Sequence, residues 1–245
     1  MTNDSIVDRV LADLVATAVD ALGADLRSIV LYGSAAEGRL RPASDVNVIF
    51  VMRAFDAERM RSLRAPMGAA AASIRLRPMF LLDLEIPRAA VAFAAKFADI
   101  ARRRRILHGD DPFAELRVPR EALARQLSQL LLNLELRLRQ AYVLRGAREE
   151  QLCRIVAEAA GPLRVCAAGV LELEGRPAPS PRDALANVAV AETGEAGADL
   201  ARAISRARQD GFLPPGTGEL LLLDVITLAE RLRQRAIAAG EDERS

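Results

Sequence analysis

Tryptophan is absent, aromatic residues make up only 4% of the chain, and His108 is its single histidine. A core without large rings has to be filled by Leu, Ala, Val and Ile. Hydrophobic residues account for 51% of the 245 positions, and an aliphatic, alanine-rich composition favours helices. One histidine and two cysteines, Cys153 and Cys166, are too few for a structural zinc site, which takes about four such ligands, and do not make a disulfide scaffold. Buried apolar thiols are the plain reading. An excess of either charge is also missing. Lys and Arg total 34 against 33 Asp and Glu, a formal charge of +1, so no general attraction to a polyanion exists and nucleic acid is not implied as a partner. No window approaches about 18 uninterrupted apolar residues. The opening MTNDSIVDRV carries acids where a signal peptide has basic and apolar regions. The expectation is a cytoplasmic protein with no membrane partner.

What is present divides into two styles. Residues 5–22 place Ile6, Val10, Leu14, Ala18 and Leu22 at helical spacing. LRSIVLY and VNVIFV are short and rich in β-branched residues, as central strands are. A helix is expected within 56–72 and a third strand around 74–82, where Pro78 removes a ladder donor and points to an edge. AVAFAAKFADI reads as a further strand or a helix, and Arg102 to Arg105 as a basic run on a helix with His108 in a turn beyond it. From Pro119 onward the pattern is helical. Leu123, Leu127, Leu130, Leu131, Leu134, Leu138 and Tyr142 recur at intervals of three and four. Later apolar segments can cover this stripe, giving a bundle of four or five helices. The fold class expected is therefore α+β, a small mixed-sheet core over residues 1–112 followed by a helical bundle over 119–240.

The segment LYGSAAEGRLRPASDVNVIF carries the chemistry. Gly33 lets the chain leave a strand in a tight turn, and Ser34 can cap a following helix, leaving amide and hydroxyl donors for an anion. Asp45 follows at the threshold of the next strand and Asn47 two residues later, on the same face, where the two can share a divalent ion beside a phosphate cradle. Arg39 and Arg41 lie in the intervening loop, within reach of a triphosphate. Lys96 is a further candidate if its segment points inward.

These residues resemble the signature of the DNA polymerase beta-type nucleotidyltransferase superfamily, which includes the minimal and the aminoglycoside nucleotidyltransferases. Members carry Gly-Ser, a gap of roughly ten residues, an Asp-x-Asp or Asp-x-Glu pair, and a third carboxylate from a later strand. Gly33, Ser34 and Asp45 match, while Asn47 replaces the second acid. For the third, Asp99 is preferred because its neighbours can form a central strand. Asp83 is the alternative, and absence of a third ligand remains open. The resemblance implies Mg²⁺ (or Mn²⁺) held by Asp45, Asn47 and Asp99, with Asp45 and Asp99 as the catalytic acids. A nucleoside triphosphate would be cradled by Gly33, Ser34, Arg39 and Arg41. It also implies transfer of a nucleoside monophosphate to a small-molecule or protein hydroxyl, with the bundle closing one side of the cleft and a homodimer conceivable. A neutral amide at 47 cannot bridge two cations as a carboxylate does, so the alternative is an inactive nucleotide-sensing or protein-interaction module. The ribonuclease motif of the helical modules that accompany some minimal nucleotidyltransferases requires a histidine, and none follows Pro119.

Overall fold

Helix α1 (Asn3–Leu22) buries Val7, Leu11, Leu14, Ala18 and Leu22, a run of steps of three and four that lines one side of a helix. Strand β1 (Leu26–Tyr32) follows after a single 3-10 turn and pairs antiparallel with β2 (Val46–Met52), Leu31 opposite Val48 and Tyr32 opposite Asn47. Asp56 then caps α2 (Ala57–Ser62), accepting from the amides of Glu58 and Arg59, and α3 (Arg64–Ile74) leads into β3 (Leu76–Leu82). The computed structural model describes residues 3–38, 45–145 and 148–241, with side chains from Ser5 onward.

The remaining elements of this half are α4 (Ile86–Ala92), α5 (Ala94–Arg102) and β4 (Arg104–Gly109). The sheet order is β3-β2-β1-β4, with β3 parallel to β2 and the other pairs antiparallel. β3 is an edge strand, where the missing donor of Pro78 is tolerated. Alternation along the strands makes two cores. Ile29, Leu31, Val48 and Phe50 pack with α1 and α3, whereas Val30, Tyr32, Ile49 and Val51 pack with α4, α5 and Phe113.

Two sequence expectations change here. AVAFAAKFADI forms the end of α4 and then α5, so Asp99 lies on a helix and not on a central strand. Ala94, Ala95, Phe97, Ala98 and Ile100 are buried, and a segment with one covered face and Lys96 and Asp99 on the other is stable only at helical period. The arginine run straddles the end of α5 and the start of β4, an extended segment that pairs with β1 and includes His108. Ile106 and Leu107 supply the apolar residues of that strand, and Arg103, Arg104 and Arg105 each pair with an acid.

By contact density the chain divides into Met1–Val118 and Pro119–Ser245. The second unit is five helices: α6 (Arg120–Arg145), α7 (Glu149–Leu173), α8 (Pro181–Thr193), α9 (Glu195–Asp210) and α10 (Gly218–Glu241). Leu123, Leu127, Leu131, Leu134 and Leu138 of α6 are buried, as the stripe requires, but Leu130 at its rim is 41% exposed. α8 and α9 meet at Gly197, where a Cβ would stand 1.8 Å from the carbonyl oxygen of Ala189, so only glycine permits that approach. Glu135 of α6 is fully buried and accepts from Arg233 of α10 at 2.6 Å, with Arg139 at 3.3 Å. No helix among the described residues is long and apolar enough to cross a membrane.

Two outcomes follow from the bundle. Arg233→Met strands the Glu135 carboxylate with one weaker partner and should cost about 2 kcal/mol, read by urea denaturation. The double variant Glu135→Leu/Arg233→Met should recover most of that loss. Burial pushes the Cys166 thiol up to about 12, and burial followed by the Glu149 charge raises Cys153. Neither thiol should react with a disulfide reagent at neutral pH in the native protein, and both should react at once in denaturant.

Candidate functional site

The end of the sheet where β1 stops and β2 begins is where the sequence motif falls. Gly33 has φ 77°, a left-handed conformation that turns the chain out of β1 into a single 3-10 turn, Gly33–Ala35. Ser34 is partly exposed inside that turn, whose N-cap is Tyr32, so Ser34 does not hold the capping position expected of it. The Gly33 amide is already engaged, donating to the carbonyl of Arg103 at 2.9 Å. A Cβ built on Gly33 would lie 3.7 Å from Asn47 Nδ2, which places the turn beside the amide of β2.

Strand register decides what else reaches this face. Arg77 of β3 is opposite Asn47, Asn47 is opposite Tyr32, and Tyr32 is opposite Arg104 of β4. Residues in register project to the same side, so one transverse row reads Arg77, Asn47, Tyr32, Arg104. It contains no carboxylate.

Asp45 stands just before β2. Its Oδ1 accepts from Arg75 Nε at 3.2 Å and lies 3.6 Å from Arg77 Nε. Arg75 is the C-cap of α3 with φ 53°, the one non-glycine residue of positive φ among those described, at a cost of about 1 kcal/mol relative to glycine. Its carbonyl accepts from the Val46 amide at 3.2 Å. Backbone and side chain of Arg75 thus both bind the start of β2. Both arginines are more than half exposed, so the pairs add little to stability; their weight is the local field.

Asp99 meets a different arginine. Arg103 grips it through Nε at 2.8 Å and Nη2 at 2.7 Å and reaches Glu37 at 3.2 Å with Nη1. Burial alone would depress Arg103, but hydrogen bonds and charge from Asp99 and then Glu37 outweigh it and hold the guanidinium above its ordinary value. Arg103 therefore fastens the Gly33 turn to α5 by its carbonyl and its side chain together. Burial, assisted by the Asp99 charge, pushes the Tyr32 phenol up to about 12. Lys96 lies 5.8 Å from the centroid of the Tyr32 ring and 3.4 Å from Met79 Sδ, and burial lowers its pKa.

The other candidates separate from this group. Asp83 pairs with Arg27 at 3.2 Å. Arg104 is held by Asp111 at 2.7 Å and Arg105 by Asp8 at 3.0 Å, so these members of the basic run are matched by acids. The His108 carbonyl accepts from Ser28 Oγ at 3.0 Å. Arg39 and Arg41 lie outside the described residues. Sequence reading missed Arg75, Arg77, Glu37 and Arg103 as parts of the site. The only signal for Arg77 was its place in a short strand whose partner and register were unknown.

These donors do not suit Mg²⁺, which demands a near-octahedral set of oxygens. Asp45 is occupied by guanidinium groups, Asn47 brings no charge, and Asp99 is bidentate to Arg103. Among the described residues no three His, Cys, Asp or Glu side chains converge to hold a metal ion.

No family model matches the chain, and no curated protein matches it in sequence. Among solved structures it is similar to spectinomycin adenyltransferase AAD(9) from Enterococcus faecialis, a structure determined with ATP and spectinomycin. The TM-score is 0.62 at 14% identity, covering 91% of this chain and 98% of that one. The chain has the α+β architecture of a nucleotidyltransferase-type fold, a small mixed-sheet core followed by a C-terminal helical bundle.

Proposed function

We propose that this protein binds a nucleoside triphosphate at the sheet end formed by Gly33, Ser34, Asp45 and Asn47, and that transfer of the nucleoside monophosphate is slow or lost. Residues 1–112 form the nucleotide-binding domain in this reading and residues 119–240 the helical one. The observation that carries it is the transverse row Arg77, Asn47, Tyr32, Arg104. It lies beside the Gly-Ser turn, where in-line transfer needs carboxylates to hold two metal ions, and it holds none. Support for the nucleotide comes from the fold, shared with a protein whose structure contains ATP. The protein then works as a nucleotide sensor or interaction module.

A second reading keeps the reaction: Mg²⁺ bound by Asp45 with help from Asn47, and an acceptor hydroxyl of a small molecule or protein attacking the α-phosphate with release of pyrophosphate. The likeness to an adenyltransferase solved with ATP and spectinomycin favours it. It requires Arg75 and Arg77 to release Asp45.

The readings part in one experiment. Calorimetric titration with ATP, GTP, CTP and UTP should show saturable binding of at least one, while pyrophosphate release with Mg²⁺ or Mn²⁺ stays at the buffer rate over hours. Asn47→Asp should leave it there, because the new carboxylate faces Arg77 across the register. Robust pyrophosphate release that Asp45→Ala abolishes would establish the second reading and end the first.

A further inference from the structure

The nucleotidyltransferase arrangement uses divalent cations to neutralise a triphosphate. Here positive charge of another kind is built into the same place. Arg75 and Arg77 converge on Asp45 from the approach to β3 and from β3 itself, at 3.2 and 3.6 Å. Each remains more than half exposed, and Arg77 is in register with Asn47 on the side facing the Gly33 turn. Two guanidinium groups on one carboxylate leave a local excess of one positive charge. Lys96 on α5 adds another against Met79, two residues along β3 from Arg77.

We propose that Arg75 and Arg77 take over the charge-neutralising role of the divalent ion, so that the site binds a nucleoside triphosphate without metal, with Asp45 as the internal counterion that the phosphates displace. The proposal rests on the nucleotide-binding reading above and deepens it. Guanidinium groups suit phosphate because their planar forks donate two parallel hydrogen bonds, and they stay charged at any working pH. They cannot acidify a coordinated hydroxyl as a metal does. Binding without turnover is then one property of the site and not two. The left-handed conformation of Arg75 fits the same account. Glycine would close α3 there without strain, yet an arginine occupies the position and directs its side chain to Asp45.

Asp45 separates the alternatives by sign. If it is a metal ligand, removing its charge weakens nucleotide binding. If it is the counterion of Arg75 and Arg77, removing its charge frees them and tightens it.

The test is titration of the full chain with ATP, and with the other three triphosphates, in EDTA and again in excess Mg²⁺, each variant being checked for its folded circular dichroism spectrum. In EDTA the wild type should bind at least as tightly as in Mg²⁺, with affinity falling steeply as salt rises. Arg77→Gln and Arg75→Gly should each weaken binding about tenfold. The glycine variant relaxes the backbone at that position, so its loss cannot be charged to misfolding. Asp45→Asn should strengthen binding several-fold. Binding seen only with Mg²⁺, weakened by Asp45→Asn and unmoved by Arg77→Gln, overturns the proposal and leaves the nucleotide reading standing. No binding of any triphosphate in either condition overturns both.

Discussion

The parallel pairing of β3 with β2 is the constraint on which the site depends. Asn47 sits where period two directs it, toward α5 and away from α1, and the residue beside it on the edge strand is whatever the register delivers. A slip of one residue would present Leu76 or Pro78 in place of Arg77. That slip is prevented because the opposite face of β3 is committed to the core, with Leu76 buried and Phe80 stacked on Phe50 at 5.2 Å. Burial of one face therefore sets the charge on the other.

Arginine recurs as the fastener on this face. Arg103 joins the Gly33 turn, Glu37 and Asp99, and Arg75 and Arg77 join the start of β2. Each carboxylate that a metal-dependent transfer would draw on is matched to a guanidinium instead. The near balance of 34 basic and 33 acidic residues reflects local pairing here. On this face the Arg75–Asp45–Arg77 group is the exposed one: both of its arginines are more than half exposed, whereas Arg103 and Asp99 are largely covered.

The helical unit is held by a different balance. Its stability comes from aliphatic burial along α6 and α7 and from close approach at small residues, with Gly197 against the Ala189 carbonyl the tightest case. The Glu135–Arg233 pair adds geometric definition more than energy, since a buried ion pair regains little beyond its desolvation cost.

Local pattern was enough to determine the two central strands, the edge position of Pro78, the aliphatic stripe of α6 and the α+β division, because periodicity and side-chain branching act over neighbouring residues. The turn at Gly33 and the place of Asp45 at the threshold of β2, with Asn47 two residues on, were legible for the same reason: a turn and a period-two pair are local facts. Tertiary structure alone decided the rest. AVAFAAKFADI, ambiguous by itself, became helical because one of its faces is covered by the sheet, and that moved Asp99 from an expected strand onto α5 beside Arg103. β4 formed because β1 had an open edge to pair with. Arg75 and Arg77, some thirty residues from Asp45 in the chain, reach it only through strand register. No property of their own sequence neighbourhood reports that register, because it is fixed by packing on the far side of the sheet.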